Sequence, residues 1–304
     1  MNIEIFEKKD LIKYADKFQE LYSVCYNSKI NNDIIKYRFI DNLTNDLLMC
    51  VAIEKNRIVG NCCALQSNIV IDDIVHKAAI DINTMTHPNY EGKGIFTKLS
   101  KTLYDFMRTC EYEFVYGFPN PLSNRIYCKH LDWKNILQIP TLEFDLENKL
   151  CCIEHIGASF NNWDSIRLRK NNRIHIQKTH QYYEWRYQNN PEKKYQIINF
   201  EDGSWVIYHI YKNELNITEF NFINTYDIPR YLRFICNLAI KLNIDKITTW
   251  CPFNCMQHFE FEKFGFVNKS PVRYFGFKNI NYTGSKKIYS GVEWDLYMGD
   301  DNVY

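Results

Sequence analysis

His87-Pro88-Asn89-Tyr90-Glu91-Gly92-Lys93-Gly94-Ile95-Phe96-Thr97-Lys98-Leu99 is the stretch on which the fold turns. A β-rich run, His76 to Thr86, leads into it, and Ile95, Leu99, Leu103 and Met107 come after it at a spacing of four, one face of a helix ending near Thr109. A strand passing through a proline into a Gly-x-Gly turn and a helix is a physical device for holding phosphate. The glycines let the amides of residues 92 to 97 converge without interference from Cβ, and the helix adds about half a positive charge at its N-terminus. Two other phosphate loops fail on the same residues. A dinucleotide-type loop needs a third glycine where Thr97 stands, and a nucleoside-triphosphate loop needs Lys-Ser/Thr after the glycine.

Working outward, the spacing predicts a helix over residues 10–27 capped by Asp10 and a second helical piece near 32–42. Leu47 to Glu54 and Ile58 to Asn68 read as strands joined by Lys55-Asn56-Arg57, and with His76 to Thr86 they make an antiparallel meander. Tyr112 to Phe118 is a strand beyond the helix. The second half repeats the order: Trp205 to Tyr211 and Leu215 to Phe222 flank Lys212-Asn213-Glu214, Asp227 caps a helix to about Leu242 with Pro229 in its first turn, and Lys246 to Trp250 is a strand. From Gly94 to Asn120 is 26 residues, and from Ile228 to Asn254 is also 26. Two divergent copies are expected, the second lacking the glycine loop. Residues 148 to about 200, with Arg167, Arg169, Lys170, Arg173 and Tyr182-Tyr183-Glu184-Trp185-Arg186-Tyr187, read as a connector without internal symmetry. The expected fold is α/β (α+β) in two domains, residues 1–148 and 149–304, each a mixed, mostly antiparallel sheet flanked by helices.

Composition sets outer bounds. A chain of 304 residues with 46% hydrophobic, 24% charged and 16% aromatic residues folds, and a formal net charge of +1 removes the electrostatic case for a nucleic-acid partner. No run nears eighteen apolar residues, so no membrane span is expected, and charges at Glu4, Glu7, Lys8 and Lys9 stand where an export signal is apolar, so a cytoplasmic protein is expected. Eleven cysteines, an odd number without Cys-x-x-Cys and with adjacent pairs at 62–63 and 151–152, read as reduced thiols. Cys251, Cys255 and His258 could share a metal, but no second ligand pair is present at usable spacing, so none is expected.

The glycine loop and the segment beyond its helix resemble the GCN5-related N-acetyltransferases (GNAT). That family reads Arg/Gln-x-x-Gly-x-Gly/Ala at the helix start and, past the next strand, Asn-x-x-Ala-x-x-x-Tyr-Glu-Lys-x-Gly-Phe. Glu91, Gly92, Lys93, Gly94, Ile95, Phe96 and Thr97 fall on the first motif; Asn120, Ser123 and Tyr127 fall on the second, with Leu131-Asp132-Trp133 in place of Leu-Gly-Phe. The second copy matches the ending through Asn254, Gln257 and Phe261-Glu262-Lys263-Phe264-Gly265-Phe266. Thr84-Met85-Thr86-His87-Pro88, Gly117-Phe118-Pro119-Asn120 and Trp185-Arg186-Tyr187 look like bacterial two-domain members, some encoded beside surface-polysaccharide genes. The resemblance implies one acetyl-CoA site in a tandem protein, with the loop on the pyrophosphate and the backbone of Thr84, Met85 and Thr86 along the pantetheine arm and thioester. It places Tyr127 by the coenzyme A sulfur and implies transfer to a primary amine, an amino sugar or nucleotide-linked amino sugar first, another small metabolite amine next. Loss of catalysis in a binding module is the remaining alternative.

The residues carry conditions of their own. Glu91 must point to water, because its carboxylate would repel a pyrophosphate, and the ring of Phe96 must turn toward the sheet. Asp81 and Asn83 share a face of their strand by period two, with Ile80 and Ile82 on the other; Asp81 is the candidate general base, and a bulge would alter which face meets substrate. Each reading has a plainer rival: a helix-start turn for Gly92 and Gly94, packing for Tyr127, a structural strand end for His87. Trp185-Arg186-Tyr187 reads as an aromatic stripe with a snorkelling arginine, and Arg167 to Arg173 as a solvated face.

Overall fold

A computed structural model describes residues 1–44, 46–146, 156–169, 172–253 and 255–301. Cys151, Cys152, Lys170 and Asn254, named above, lie outside the described residues. The chain divides into two compact units, Met1–Ile136 with Tyr274–Tyr289, and Leu137–Arg273 with Ser290–Tyr304.

The first unit opens with β1 (Asn2–Phe6), antiparallel to β2 (Leu48–Glu54), which turns through Lys55 and Asn56 at φ 47° and 63° into β3 (Arg57–Gln66). The expected N-terminal helix is two, α1 (Lys8–Lys13) and α2 (Ala15–Tyr26). Asp10 is not the cap: Glu7 is, and Asp10, three residues on, accepts from the Glu7 amide as the return half of a capping box. Next come α3 (Asn32–Ile35), continuing as one π-helical turn over Lys36–Ile40, and a small hairpin of β4 (Ile69–Ile71) and β5 (Ile74–His76). β6 (Ala78–Thr86) pairs with β3, and α4 (Ile95–Thr109) crosses to β7 (Phe114–Gly117), which lies parallel to β6. α4 buries Ile95, Leu99, Leu103 and Met107, as its spacing predicts, against alternate residues of β2, β3 and β6. At about 1.5–3 kcal/mol per fully buried aliphatic side chain, that face anchors the helix whose start forms the loop. α5 (Pro121–His130) comes next, and residues Gly276–Asn279 close this sheet antiparallel to β7.

The second unit starts within β8 (Lys134–Asp145) and adds β9 (Ala158–Phe160), β10 (Ile174–Ile176) and α6 (His180–Tyr183), the last continuing as a π-helical turn over Glu184–Gln188. Strands β11 (Tyr195–Phe200), β12 (Trp205–Tyr211) and β13 (Glu214–Asn221) form a meander; α7 (Ile228–Lys241) crosses to β14 (Lys246–Trp250), parallel to β13 and antiparallel to β8. α8 (Met256–Phe264) ends on Gly265 at φ 116°, β15 (Val267–Asn279) comes after it, and β16 (Trp294–Asp295) runs parallel to β10. The order of strands and helices repeats that of the first unit. Residues 148–200 do share in the symmetry: α6 and its π turn repeat α3 and its π turn, with Trp185-Arg186-Tyr187 in the place of Tyr37-Arg38-Phe39. Arg186 does not snorkel; it is buried and donates to the carbonyls of Gly299 and Asp301 and to the Tyr195 hydroxyl.

Candidate active site

The glycine loop starts from His87, whose amide donates to the Val59 carbonyl and whose Nδ1 accepts from Asn89, capping a 3-10 turn over Pro88–Tyr90. Tyr90 donates to the Glu54 carboxylate at 2.6 Å, tying the turn to β2. Lys93 lies 4.7 Å from the Tyr90 ring centre and donates to the Asn89 carbonyl. Gly92 and Gly94 hold φ of 72° and 71°, a region L-residues avoid, and a Cβ on either would meet nothing within 4 Å. The glycines are there for backbone conformation, and the space above them is open. Gly94 stands at the N-cap of α4, which has no side-chain cap; its first backbone bond is from Lys98 to the Gly94 carbonyl. An uncapped, open helix start suits a diphosphate. Glu91 is exposed, and the Phe96 ring lies edge-on against Tyr127, 5.2 Å between centres.

The strand before the loop is bulged. Pairing passes from Cys63↔Ile82 to Asn61↔Met85, so Asn83 and Thr84 together face Cys62, with Asn83 at φ 47°. Asn61 holds the bulge by donating to the Asn83 carbonyl at 2.8 Å. The expectation that Asp81 and Asn83 share a face fails for this reason: the extra residue turns Asn83 to Arg38, whose guanidinium is 3.3 Å from Asn83 Oδ1, whereas Asp81 faces α4 and α5.

Asp81 comes directly after the last β6–β7 pair, Ile80↔Tyr116, where the two strands part. Its Oδ1 accepts from Thr84 Oγ1 at 2.9 Å and its Oδ2 from the Tyr104 hydroxyl at 3.5 Å, and the Tyr127 hydroxyl stands beside it. Burial pushes the Asp81 carboxyl up to about 7, against the hydroxyls around it, which favour the carboxylate. Burial, and then Asp81 beside it, drive Tyr127 well above the ordinary phenol range. Tyr127 is buried, its ring centre 4.4 Å from that of Trp133, and Trp133 Nε1 donates to the Tyr104 hydroxyl at 3.1 Å. Asn120 caps α5, accepting from the Ser123 amide at 2.9 Å and hydroxyl at 3.1 Å. Asp132, where the family has glycine, adopts φ 58°.

Sequence reading misses Tyr104 and meets Trp133 only as the residue in the place of the motif's final Phe. Tyr104 sits one position past Leu103 on α4, where the aliphatic stripe gives way to a polar tip, the one signal that could have drawn attention to it. The structure also overturns the solvated reading of Arg169. It lies 3.5 Å from Glu219 and 3.7 Å from Asp295, stacked 3.6 Å from the Tyr297 ring centre. Lys178 pairs with Glu219 and Asp300 at 2.9 and 2.5 Å, and these side chains line a cavity of about 40 Å³ within the second unit. Cys251 and Cys255 bring their sulfurs to 3.2 Å, while His258 Nδ1 meets the Cys251 carbonyl.

Residues 12–134 match the family model of the acetyltransferase (GNAT) domain. The first unit carries a GNAT-type acetyltransferase domain over those residues. That domain is of the acyltransferase type, and the second unit repeats its order of strands and helices. In fold the chain is similar to a probable N-acyltransferase from Enterococcus faecalis (TM-score 0.69, 10% identity, 92% of this chain and 72% of that one). It is similar also to a GCN5-related N-acetyltransferase from Anabaena variabilis (0.68, 11%, 92% and 73%). A third likeness is to Saccharomyces cerevisiae N-myristoyltransferase with bound myristoyl-CoA (0.62, 11%, 92% and 79%). No curated protein matches the chain in sequence. Among the described residues no helix is long and apolar enough to cross a membrane, and no group of three His, Cys, Asp or Glu could hold a metal ion.

Proposed function

We propose that the first GNAT unit transfers the acetyl group of acetyl-CoA to the amine of an amino sugar, free or nucleotide-linked, with Asp81 as general base and Tyr127 delivering a proton to the departing sulfur. The observation that carries this reading is a half-buried carboxyl group, met by the hydroxyls of Thr84 and Tyr104 with the buried Tyr127 beside it, at the point where β6 and β7 part. The amides from Gly92 to Thr97 would take the diphosphate, Asn120 and Ser123 the start of the next helix beside it, and Thr84 to Thr86 the pantetheine arm. The resemblance supports those assignments, and the open space over the glycines fits them.

The proton economy favours this pair. A phenol of ordinary pKa ~10 protonating a thiolate of ~8.5 goes uphill by about 2 kcal/mol, and burial of Tyr127 raises that further. With Asp81 at about 7 as the source and Tyr127 as the bridge, the same transfer runs downhill by about 1.5 units, or ~2 kcal/mol. Asp81 takes the amine proton, Tyr127 accepts it from Asp81 while giving its own to sulfur, and both residues return to their starting forms. The same value bears on the acceptor. Taking a proton from a lysine ammonium of pKa ~10.4 would cost Asp81 on the order of 4–5 kcal/mol, and an amine of lower pKa costs correspondingly less. A sugar amine is of that kind.

The test is release of free thiol from acetyl-CoA across a panel of amines that includes free, UDP-linked and dTDP-linked amino sugars. Turnover confined to the sugar amines and abolished in Asp81→Asn is the expected result. Turnover of lysine-type amines alone would overturn the acceptor class.

A further inference from the structure

We infer that Tyr104 is a positioning residue for Asp81, held in that role by Trp133. The inference rests on Asp81 being the base of the proposed reaction, and it starts from one asymmetry of hydrogen-bond chemistry. An indole N–H can only donate. Trp133 Nε1 is 3.1 Å from the Tyr104 oxygen, with both side chains buried, so that oxygen is the acceptor and the single hydroxyl proton of Tyr104 is left for its other neighbour. That neighbour is Asp81 Oδ2, at 3.5 Å. Trp133 therefore fixes the direction of a bond that a lone tyrosine could reverse, and a donor locked onto a carboxylate favours the ionised form that a base requires.

The ring positions make the arrangement hard to vary. Trp133 packs against Tyr127 with the rings tilted by 50° and 4.4 Å between centres, so one indole braces the tyrosine of the relay and aims Tyr104 with its N–H edge. Other titratable groups face Asp81 from each surrounding element. They are Tyr127 on α5, Cys62 and Cys63 on β3, and Tyr26 on α2. Each of them is neutral near pH 7, its ionisation pushed upward by burial. Hydroxyl donors, then, offset the cost of burying this carboxylate, and Tyr104 is the donor whose direction is fixed from outside.

The experiment titrates the Asp81 carboxyl directly, by carbon NMR of protein labelled with carboxyl-¹³C aspartate and assigned with Asp81→Asn, in the full chain without substrate. A hydrogen bond to a charged group shifts a pKa by about one unit or more, and at 3.5 Å the lower end applies. Tyr104→Phe should therefore raise the Asp81 titration by about one pH unit, a tenfold gain in proton affinity. Trp133→Phe should raise it less, because Tyr104 keeps its hydroxyl but loses its fixed direction. The double variant should titrate with Tyr104→Phe alone, since Trp133 acts only through Tyr104. An unmoved titration in folded Tyr104→Phe, or additive shifts in the double variant, overturns the assignment; should Tyr104→Phe not fold, an unmoved Trp133→Phe does so. The acidic limb of kcat/KM should move by the same shift while the alkaline plateau holds. If the carboxyl moves and the limb does not, Tyr104 still positions Asp81, and it is Asp81 as the base that falls.

Discussion

Asp81→Asn should make the protein more stable in alkali while removing its activity. Burial raises the Asp81 carboxyl from 3.8 to about 7, so the native chain binds a proton more tightly than the unfolded one. Below pH ~3.8 the native state is therefore not penalised, and stability is lost as pH climbs toward 7, because ionising the buried group costs more than ionising it in the open chain. The full penalty is on the order of 4 kcal/mol, and the part that changes between pH 5 and pH 8.5 is on the order of 2–3 kcal/mol. Asparagine cannot ionise, so its stability should be flat over that window as far as this site is concerned. Some of the gain is returned, because an amide receives the Thr84 and Tyr104 hydroxyls less well than a carboxylate, by roughly 1 kcal/mol or more. Asp81→Asn should then exceed wild type by about 1–3 kcal/mol at pH 8.5 and show little advantage at pH 5. Urea unfolding of both proteins at the two pH values, monitored by intrinsic fluorescence and fitted to a common slope, measures it. Parallel curves, with the difference between the proteins independent of pH, would refute the reasoning, since they would show that Asp81 ionises in the native state as it does in water.

Tyr127→Phe should lower kcat on acetyl-CoA by about 10²- to 10⁴-fold with KM little changed, the loss expected for a positioned acid, and unchanged turnover would return Tyr127 to a packing role. Gly94→Ala should weaken coenzyme A binding, because alanine at φ 71° costs roughly 1 kcal/mol and tilts the amides of the helix start; calorimetry showing wild-type affinity would remove the loop from the binding site. Glu219→Gln should destabilise the second unit by about 3–5 kcal/mol in chemical unfolding, since Lys178 and Arg169 would lose the carboxylate they share in a buried site. A change within 0.5 kcal/mol would show those cations reaching water.

The strands and helices that position the site were legible in the sequence because their signals are local. The four-residue spacing from Ile95 to Met107 predicts α4, and Lys55-Asn56, both at positive φ, closes the β2–β3 hairpin as the turn chemistry requires. Three features were not legible, each for a physical reason. The register of β6 depends on a bulge that period-two counting cannot see, so counting alone puts Asn83 on the wrong face. Asp10 and Glu7 are both acceptable caps, and only the reciprocal bond decides between them. Arg169 and Arg186 look like surface arginines because their anionic and carbonyl partners, at 219 and 295 to 301, lie far off in the chain.

The two copies differ most where they are most alike. In each, the strand that leads to the parting point carries an extra residue: Asn83 with Thr84 in the first, Thr218 in the second, where pairing passes from Tyr208↔Ile217 to Ile207↔Glu219. Each bulge has a carboxylate within two residues of it, half-buried in the first copy and fully buried in the second. Asp81 is met only by hydroxyls in the bonds that hold it, and burial wins, leaving its proton affinity near neutrality. Glu219 receives the hydroxyls of Tyr183 and Tyr187 at 2.8 and 2.7 Å and in addition the charges of Lys178 and Arg169, which hold it below the usual carboxylate range despite its burial. A carboxylate pinned by two cations cannot exchange a proton at working pH, whereas one held by hydroxyls can. The difference between a unit that could catalyse and one that braces the fold thus comes down to what faces the carboxylate: tyrosine and threonine alone, or tyrosine with lysine and arginine.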